Sequence, residues 1–163
     1  MKQLWAPWRM TYINEGTEEQ GCIFCNRSQE NDSREALVVA RTQHTLVMLN
    51  KYPYNNGHLL LAPKRHERNL SNLSAEEYDD LNEALRRSVN IVRETLHPGG
   101  INLGMNLGRC AGAGIEDHLH WHVVPRWEGD TNFMPVVGET RVMPQHLLDS
   151  YDRLKPHFDN LSK

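Results

Sequence analysis

Between Ser74 and His97 the chain reads as one long amphipathic helix, and a helix of that length needs a sheet or another helix to cover its apolar face. Ser74 followed by Glu77 has the pattern of a capping box, in which each residue satisfies a backbone donor that the first turn leaves open. Tyr78, Leu81, Leu85, Val89, Val92 and Leu96 recur at helical spacing and predict the buried stripe. Acidic residues crowd the first half, while Arg86, Arg87 and Arg93 occupy the second, which suits the helix dipole. His97-Pro98-Gly99-Gly100 predicts the stop.

What flanks the helix is rich in β-forming residues. Residues 36–41 and 44–50 predict two strands joined by a hairpin at Thr42-Gln43. Lys51 to Gly57, with Pro53, predicts a loop, and His58 to Pro63 a third strand. Two further strands are expected near Ile101–Leu107 and His118–Val124. A closing helix is expected to start near Pro144, carry Leu147, Leu148, Tyr151 and Leu154, and end before Pro156. Strands, a crossover helix and strands again indicate an α+β fold with a mainly antiparallel sheet, one long helix and a C-terminal helix. A length of 163 residues suits one domain, with 1–20 an N-terminal arm, 21–127 the core and 128–163 a C-terminal extension.

Charged residues at 24% and hydrophobic ones at 39% describe a globular chain, and no apolar run reaches the roughly 20 residues of a membrane span. A net charge of −3 argues against a general nucleic-acid binder. Met1 to Tyr12 has neither an uninterrupted apolar stretch nor a small-residue cleavage site, so it does not read as a secretion signal. Three cysteines, two of them in Cys22-x-x-Cys25, do not make a disulfide framework, and a reducing, cytoplasmic setting is expected.

Chemistry concentrates in Asp117-His118-Leu119-His120-Trp121-His122-Val123-Val124-Pro125-Arg126-Trp127. On a strand, His118, His120 and His122 share one face, and Leu119, Trp121 and Val123 share the other. Three imidazoles in a row pack poorly, because every ring nitrogen needs a partner and charging them together is penalised. The pattern alone leaves metal binding and catalysis both open. Upstream, Asn106-Leu107-Gly108-Arg109-Cys110-Ala111-Gly112-Ala113-Gly114 is a glycine-rich connection: either a plain turn or a cradle of N–H groups for an anion. Next to the histidine row it offers what phosphoryl chemistry needs, a nucleophile and fixed donors.

His118-Leu119-His120-Trp121-His122-Val123-Val124 matches at every position the His-φ-His-φ-His-φ-φ signature of the histidine triad (HIT) family, which the chain resembles over roughly residues 20–127. Leu4 to Ile13, the pair Cys22 and Cys25, Leu49 to Asn55, and Val124 to Trp127 resemble the bacterial branch similar to diadenosine tetraphosphate phosphorylases. The resemblance implies a HIT-like α+β fold that dimerises across the long helix and its neighbouring strand and binds purine nucleotides. It implies His120 as the nucleophile forming a nucleotidyl-imidazole intermediate, His122 bonded to the phosphate or leaving oxygen, and His118 orienting its neighbours. Asn106, Gly112 and Gly114 would hold the phosphate, and Asn50 the ribose, although a strand-end Asn also caps turns. Dinucleoside polyphosphates would be the substrates, with inorganic phosphate or water completing the reaction. Many members carry Ser or Thr shortly before the triad, where this chain has Gly112-Ala113-Gly114-Ile115.

A lone Cys-x-x-Cys can be redox-active, metal-binding or merely buried. Some family members resemble this chain in joining such a pair to a histidine after the third strand and to the first triad histidine. That resemblance implies a structural zinc on Cys22, Cys25, His66 and His118. Cys110 reads as a small loop residue, and His44, His97, His146 and His157 as surface or strand-end residues. Other functions to set beside this one are a nucleoside phosphoramidate hydrolase on the same histidines, a nucleotide-sensing module of low turnover, and a zinc-stapled nucleic-acid binder.

Overall fold

A computed structural model describes residues 21–30, 34–130, 145–159 and 161. The expected N-terminal arm, and the expected start of the closing helix near Pro144, lie outside the described residues. In chain order these residues form α1 (Ile23–Gln29), β1 (Val38–Arg41), β2 (Thr45–Leu49), β3 (Leu59–Pro63), α2 (Ala75–Leu96), β4 (Gly100–Met105), β5 (Trp121–Arg126) and α3 (Leu147–Phe158). The strands make one sheet in the order β1-β2-β3-β5-β4, every neighbouring pair antiparallel, so the fold is α+β.

The two faces of the sheet are covered differently. On one, Val47, Leu49, Leu59, Leu61, Leu119 and Val123 meet Leu81, Ala84, Val92 and Leu96 of α2 and Tyr151, Leu154 and Phe158 of α3. On the other, Val38, Leu46, Met48, Leu60 and Ala62 pack on Phe24 of α1. Each fully buried Leu or Phe contributes about 1.5–3 kcal/mol to this arrangement.

α2 begins with the expected capping box, Ser74 accepting from the Glu77 N–H and Glu77 from that of Ser74. Its buried stripe is rotated from the expected one. Leu81, Ala84, Ser88, Val92, Thr95 and Leu96 are buried, Leu85 and Val89 are half-buried, and Tyr78 is 45% exposed. Ala84 and Ser88 are small enough for the helix to settle on that side. Asp80 ties the helix to the β1–β2 hairpin by accepting from the hydroxyls of Thr42 at 2.5 Å and Thr45 at 2.6 Å. The helix closes at His97 itself, in the left-handed conformation, ahead of Pro98.

Other boundaries also moved. β1 starts at Val38 because Leu37 has φ of 59° and cannot continue a strand. α3 runs through Pro156 to Phe158, since a proline in the last turn forfeits one bond while Phe158 anchors that turn in the core. α1 was not anticipated; seven residues are too few for a periodic signal. β5 starts at Trp121, three residues later than expected. Its pairing with β3 ends at Leu61↔Trp121, leaving His118 and His120 in the segment that leads into the strand.

Gly57 fixes the β2–β3 connection against the end of α2. Its φ is +69°, and any side chain there would collide with Leu96 Cδ1. β4 is an edge strand carrying Leu103 48% exposed on the face that α2 covers.

Candidate active site

Lead-in and strand together place His118, His120 and His122 on the sheet face opposite α2. Phe24 of α1 lies 5.1 Å from the His118 ring and 4.9 Å from the His120 ring, and His120 lies 4.9 Å from His122 in an edge-on contact. Leu119 and Val123 turn into the core and Trp121 packs against it half-buried, as the alternation requires. His118 and His120 are buried.

Hydrogen bonds assign each ring its tautomer. His120 Nδ1 lies 2.8 Å from the His118 carbonyl, so Nδ1–H donates and Nε2 keeps its lone pair. His118 Nε2–H donates to the Pro63 carbonyl at 2.7 Å, and its Nδ1 lone pair faces the cysteines. Burial pushes both imidazoles down from their ordinary value, His118 to about 4, so both are neutral at pH 7.

A fourth histidine, read from the sequence only as the start of a strand, completes the row. His58 is fully buried, and its Nδ1 accepts from the Tyr54 backbone N–H at 3.0 Å. Its Nε2 therefore carries the proton, pointing at His122 Nδ1 3.0 Å away. That bond leaves the proton of His122 on Nε2. The signal available beforehand was parity: His58 shares the face of Leu60 and Ala62 in a strand that is otherwise apolar.

Asn50 lies directly across from His58, its N–H on the His58 carbonyl at 2.9 Å, its amide nitrogen 3.3 Å from His58 Nδ1 and its side-chain oxygen accepting from Tyr52 N–H. On the other flank, β4 pairs Gly104 with His122 and Met105 with Trp121, so the register leads Asn106 toward His120 on the same face. Asn106 Nδ2 donates to the Gly112 carbonyl at 3.4 Å. Gly108 and Gly112, at φ of 85° and 90°, bracket a 3-10 turn at Arg109–Ala111, and the N–H groups of Ala111, Gly112 and Ala113 bond within it. Gly114 follows on the exposed side, and Ile115 returns to pack beside Phe24. Cys110 is exposed. A cleft of about 270 Å³ between Thr42, Asp80, Glu83 and Arg87 lies against α2 and includes none of these residues.

At the other end of the row the four expected metal ligands converge. Cys22 Sγ lies 3.2 Å from His118 Nδ1, and Cys25 Sγ lies 3.2 Å from His66 Nδ1 and 3.7 Å from His118 Nδ1. All four donor atoms fall within 4.8 Å of one another. A tetrahedral zinc needs ligand edges of about 3.3–3.8 Å, so the set fits with small adjustments. Burial, and then the neighbouring Cys22, pushes the Cys25 thiol up to about 11, a pairing that a divalent cation would reverse.

Comparison with known proteins agrees with the geometry. The sequence model of the HIT domain matches residues 31–129. An AP-4-A phosphorylase of Mycobacterium tuberculosis is 37% identical over 92% of this chain and 80% of its own. An adenosine 5′-monophosphoramidase of Schizosaccharomyces pombe is 30% identical over 64% of this chain and 74% of its own. Among solved structures, a zinc-bound histidine triad family protein of Mycobacterium smegmatis superposes with a TM-score of 0.66 at 25% identity, covering 86% of this chain and 95% of that one.

Proposed function

Because this chain belongs to the HIT domain family, we propose that it cleaves a phosphoanhydride at the α-phosphate of a nucleotide, His120 being the nucleophile and dinucleoside polyphosphates such as diadenosine tetraphosphate the substrates. The observation that carries this reading is the complementary pair of tautomers: a bare Nε2 on His120 beside a protonated Nε2 on His122.

The chemistry follows from that pair. His120 Nε2 attacks the α-phosphorus, and a P–N bond forms as the P–O bond to the polyphosphate breaks. His122 Nε2–H donates a hydrogen bond to the departing oxygen and stabilises the charge that develops on it. Inorganic phosphate or water then attacks the adduct, its proton passing to solvent or to a phosphate oxygen as the P–N bond breaks and His120 Nε2 regains its lone pair. The neutrality of buried His120 keeps its lone pair available at pH 7. Asn106 and the Gly112–Gly114 turn bound the phosphate on the β4 side, standing where many relatives place a hydroxyl, and Asn50 takes the ribose. The 37% identity over most of the chain supports this substrate class. The Schizosaccharomyces pombe relative favours a second reading, in which the same steps release a nucleotide from a phosphoramidate.

Cys22, Cys25, His66 and His118 would hold zinc with four protein ligands. Such an ion supplies a fixed point for the fold and has no position left for substrate. We further propose a homodimer across α2 and the β4 edge, and a cytoplasmic setting in keeping with the free thiols of Cys22, Cys25 and Cys110. Among the described residues no helix is long and apolar enough to cross a membrane.

Product analysis tests the proposal. Diadenosine tetraphosphate is incubated with and without inorganic phosphate: ADP plus ATP formed only with phosphate marks phosphorolysis, and AMP plus ATP in water marks hydrolysis. His120→Asn should lower turnover by several orders of magnitude while nucleotide still binds, a drop of about 10³ or more. Wild-type turnover in that variant contradicts the mechanism.

A further inference from the structure

The hydrogen bond between His58 and His122 can run in either direction. It survives whether the shared proton sits on His58 Nε2 or on His122 Nδ1, and only in the first case does His122 keep its proton on Nε2. A backbone N–H can only donate, so Tyr54 N–H, 3.0 Å from His58 Nδ1, selects that case. The Asn50 amide nitrogen is the more distant donor to the same atom, at 3.3 Å. The order of protons along the row therefore depends on where the connection between β2 and β3 holds the Tyr54 peptide.

Asn55, next in the chain, anchors that peptide from outside the row. Its carbonyl accepts from His58 N–H at 3.2 Å, and its side-chain oxygen from Asn56 N–H at 3.1 Å. Its amide nitrogen donates to the Pro125 carbonyl at 3.1 Å and to Asp130 Oδ2 at 2.7 Å. Asp130 is a firm post: its side chain is only 10% exposed, and it accepts from Trp127 N–H at 3.0 Å. Arg126 adds a two-pronged bond to the same carboxylate, at 2.7 and 2.8 Å, and reaches Asn102 of β4 with its remaining nitrogen. Asp130 lies one residue beyond the stretch matched by the HIT domain. We propose that Asn55 and Asp130 are positioning residues, which set the proton order of the histidine row by holding the Tyr54 peptide against His58. The effect on turnover rests on the phosphoanhydride reading above, whereas the effect on the rings rests on hydrogen-bond geometry alone.

Ring tautomers and kinetics together test the path. Asn55→Ala should shift the nitrogen NMR signals of His122 toward a mixed tautomer. It should also lower kcat on diadenosine tetraphosphate by about 10-fold with KM little changed. Asp130→Ala cuts the same link from the other side and should do both, which keeps the test open if Asn55→Ala fails to fold. Asn102→Ala removes only the β4 brace of Arg126, and should leave the tautomer and kcat as in the wild type even if it melts lower. Added to His58→Phe, Asn55→Ala should cost no more than about two-fold further, because two residues on one path do not add. An undisturbed His122 tautomer in Asn55→Ala and Asp130→Ala overturns the proposal. So does an equal shift in Asn102→Ala, which marks general loosening, or a full 10-fold loss on top of His58→Phe, which puts Asn55 on a separate route. A wild type that cleaves no dinucleoside polyphosphate overturns the phosphoanhydride reading instead, and the nitrogen spectra still decide the role of Asn55.

Discussion

His58 Nε2 lies 3.0 Å from His122 Nδ1, and the proton between them belongs to His58, because the Tyr54 N–H already occupies the other nitrogen of that ring. His58, from the start of the neighbouring strand, thus decides which nitrogen of His122 is left to face the site. His58→Phe keeps the ring volume and removes the donor. We expect kcat to fall by about 10²-fold with KM little changed, as for loss of an oriented hydrogen-bond donor to the departing charge. Nitrogen NMR of labelled His122 should show the tautomer becoming mixed. Wild-type kcat with an unchanged tautomer would contradict this.

Metal content offers an independent check on the other end of the row. Protein purified without added metal should carry about one zinc per chain. Cys22→Ser should lower both the metal content and the thermal midpoint, because the four ligands join α1, the exit of β3 and the lead-in to β5. Full stability in a metal-free preparation would rule the site out.

Acid should act on the capping box. The Arg65 guanidinium, followed by the Ser74 N–H, holds the Glu77 carboxyl down at about 2. Since the folded value lies below the unfolded one of about 4.3, this contribution is fully present above that pH and is lost as pH falls toward 2. Glu77→Gln should therefore melt roughly 2–4 °C below the wild type at pH 7, as expected for about 1 kcal/mol of capping. The two proteins should converge near pH 2. A gap that persists in acid would assign the effect to something other than the charge.

Leu103 tests the assembly. It stands 48% exposed on an edge strand, on the same face as α2, whose Leu85 and Val89 are only half-covered and whose Tyr78 is open. Sedimentation of the wild type at micromolar concentration should give about twice 18.9 kDa, and Leu103→Asp should give the single-chain mass. A wild-type monomer would contradict the dimer.

What could be read without coordinates was whatever is local. The Ser74–Glu77 box and the apolar spacing behind it are decided within a few turns, and the histidine alternation needs only the period of a strand. Tyr78 was misplaced because helical spacing defines a stripe but not which edge of it meets the core; Ala84 and Ser88 decided that. His58 escaped notice because its meaning arises across strands, from Leu60↔His122 and from a backbone N–H four residues away. The convergence of His66 with the cysteine pair followed from family resemblance, since nothing in the spacing of Cys22, Cys25 and His66 announces it.

The two-faced sheet has a consequence for how such an enzyme can change. The larger core lies with α2 and α3 on one side, and a smaller one around Phe24 shares the other with the histidine row, the lip at Lys51–Tyr54 and the glycine-rich turn. Most stability-bearing substitutions and most substrate-bearing ones therefore fall on separate residues, and selection can alter one set with little penalty in the other. Gly57 is where the two sets meet, wedged between the lip and Leu96. Changes in substrate preference should accumulate on the histidine face, with Gly57 as the fixed post that keeps the Lys51–Tyr54 lip anchored to the core.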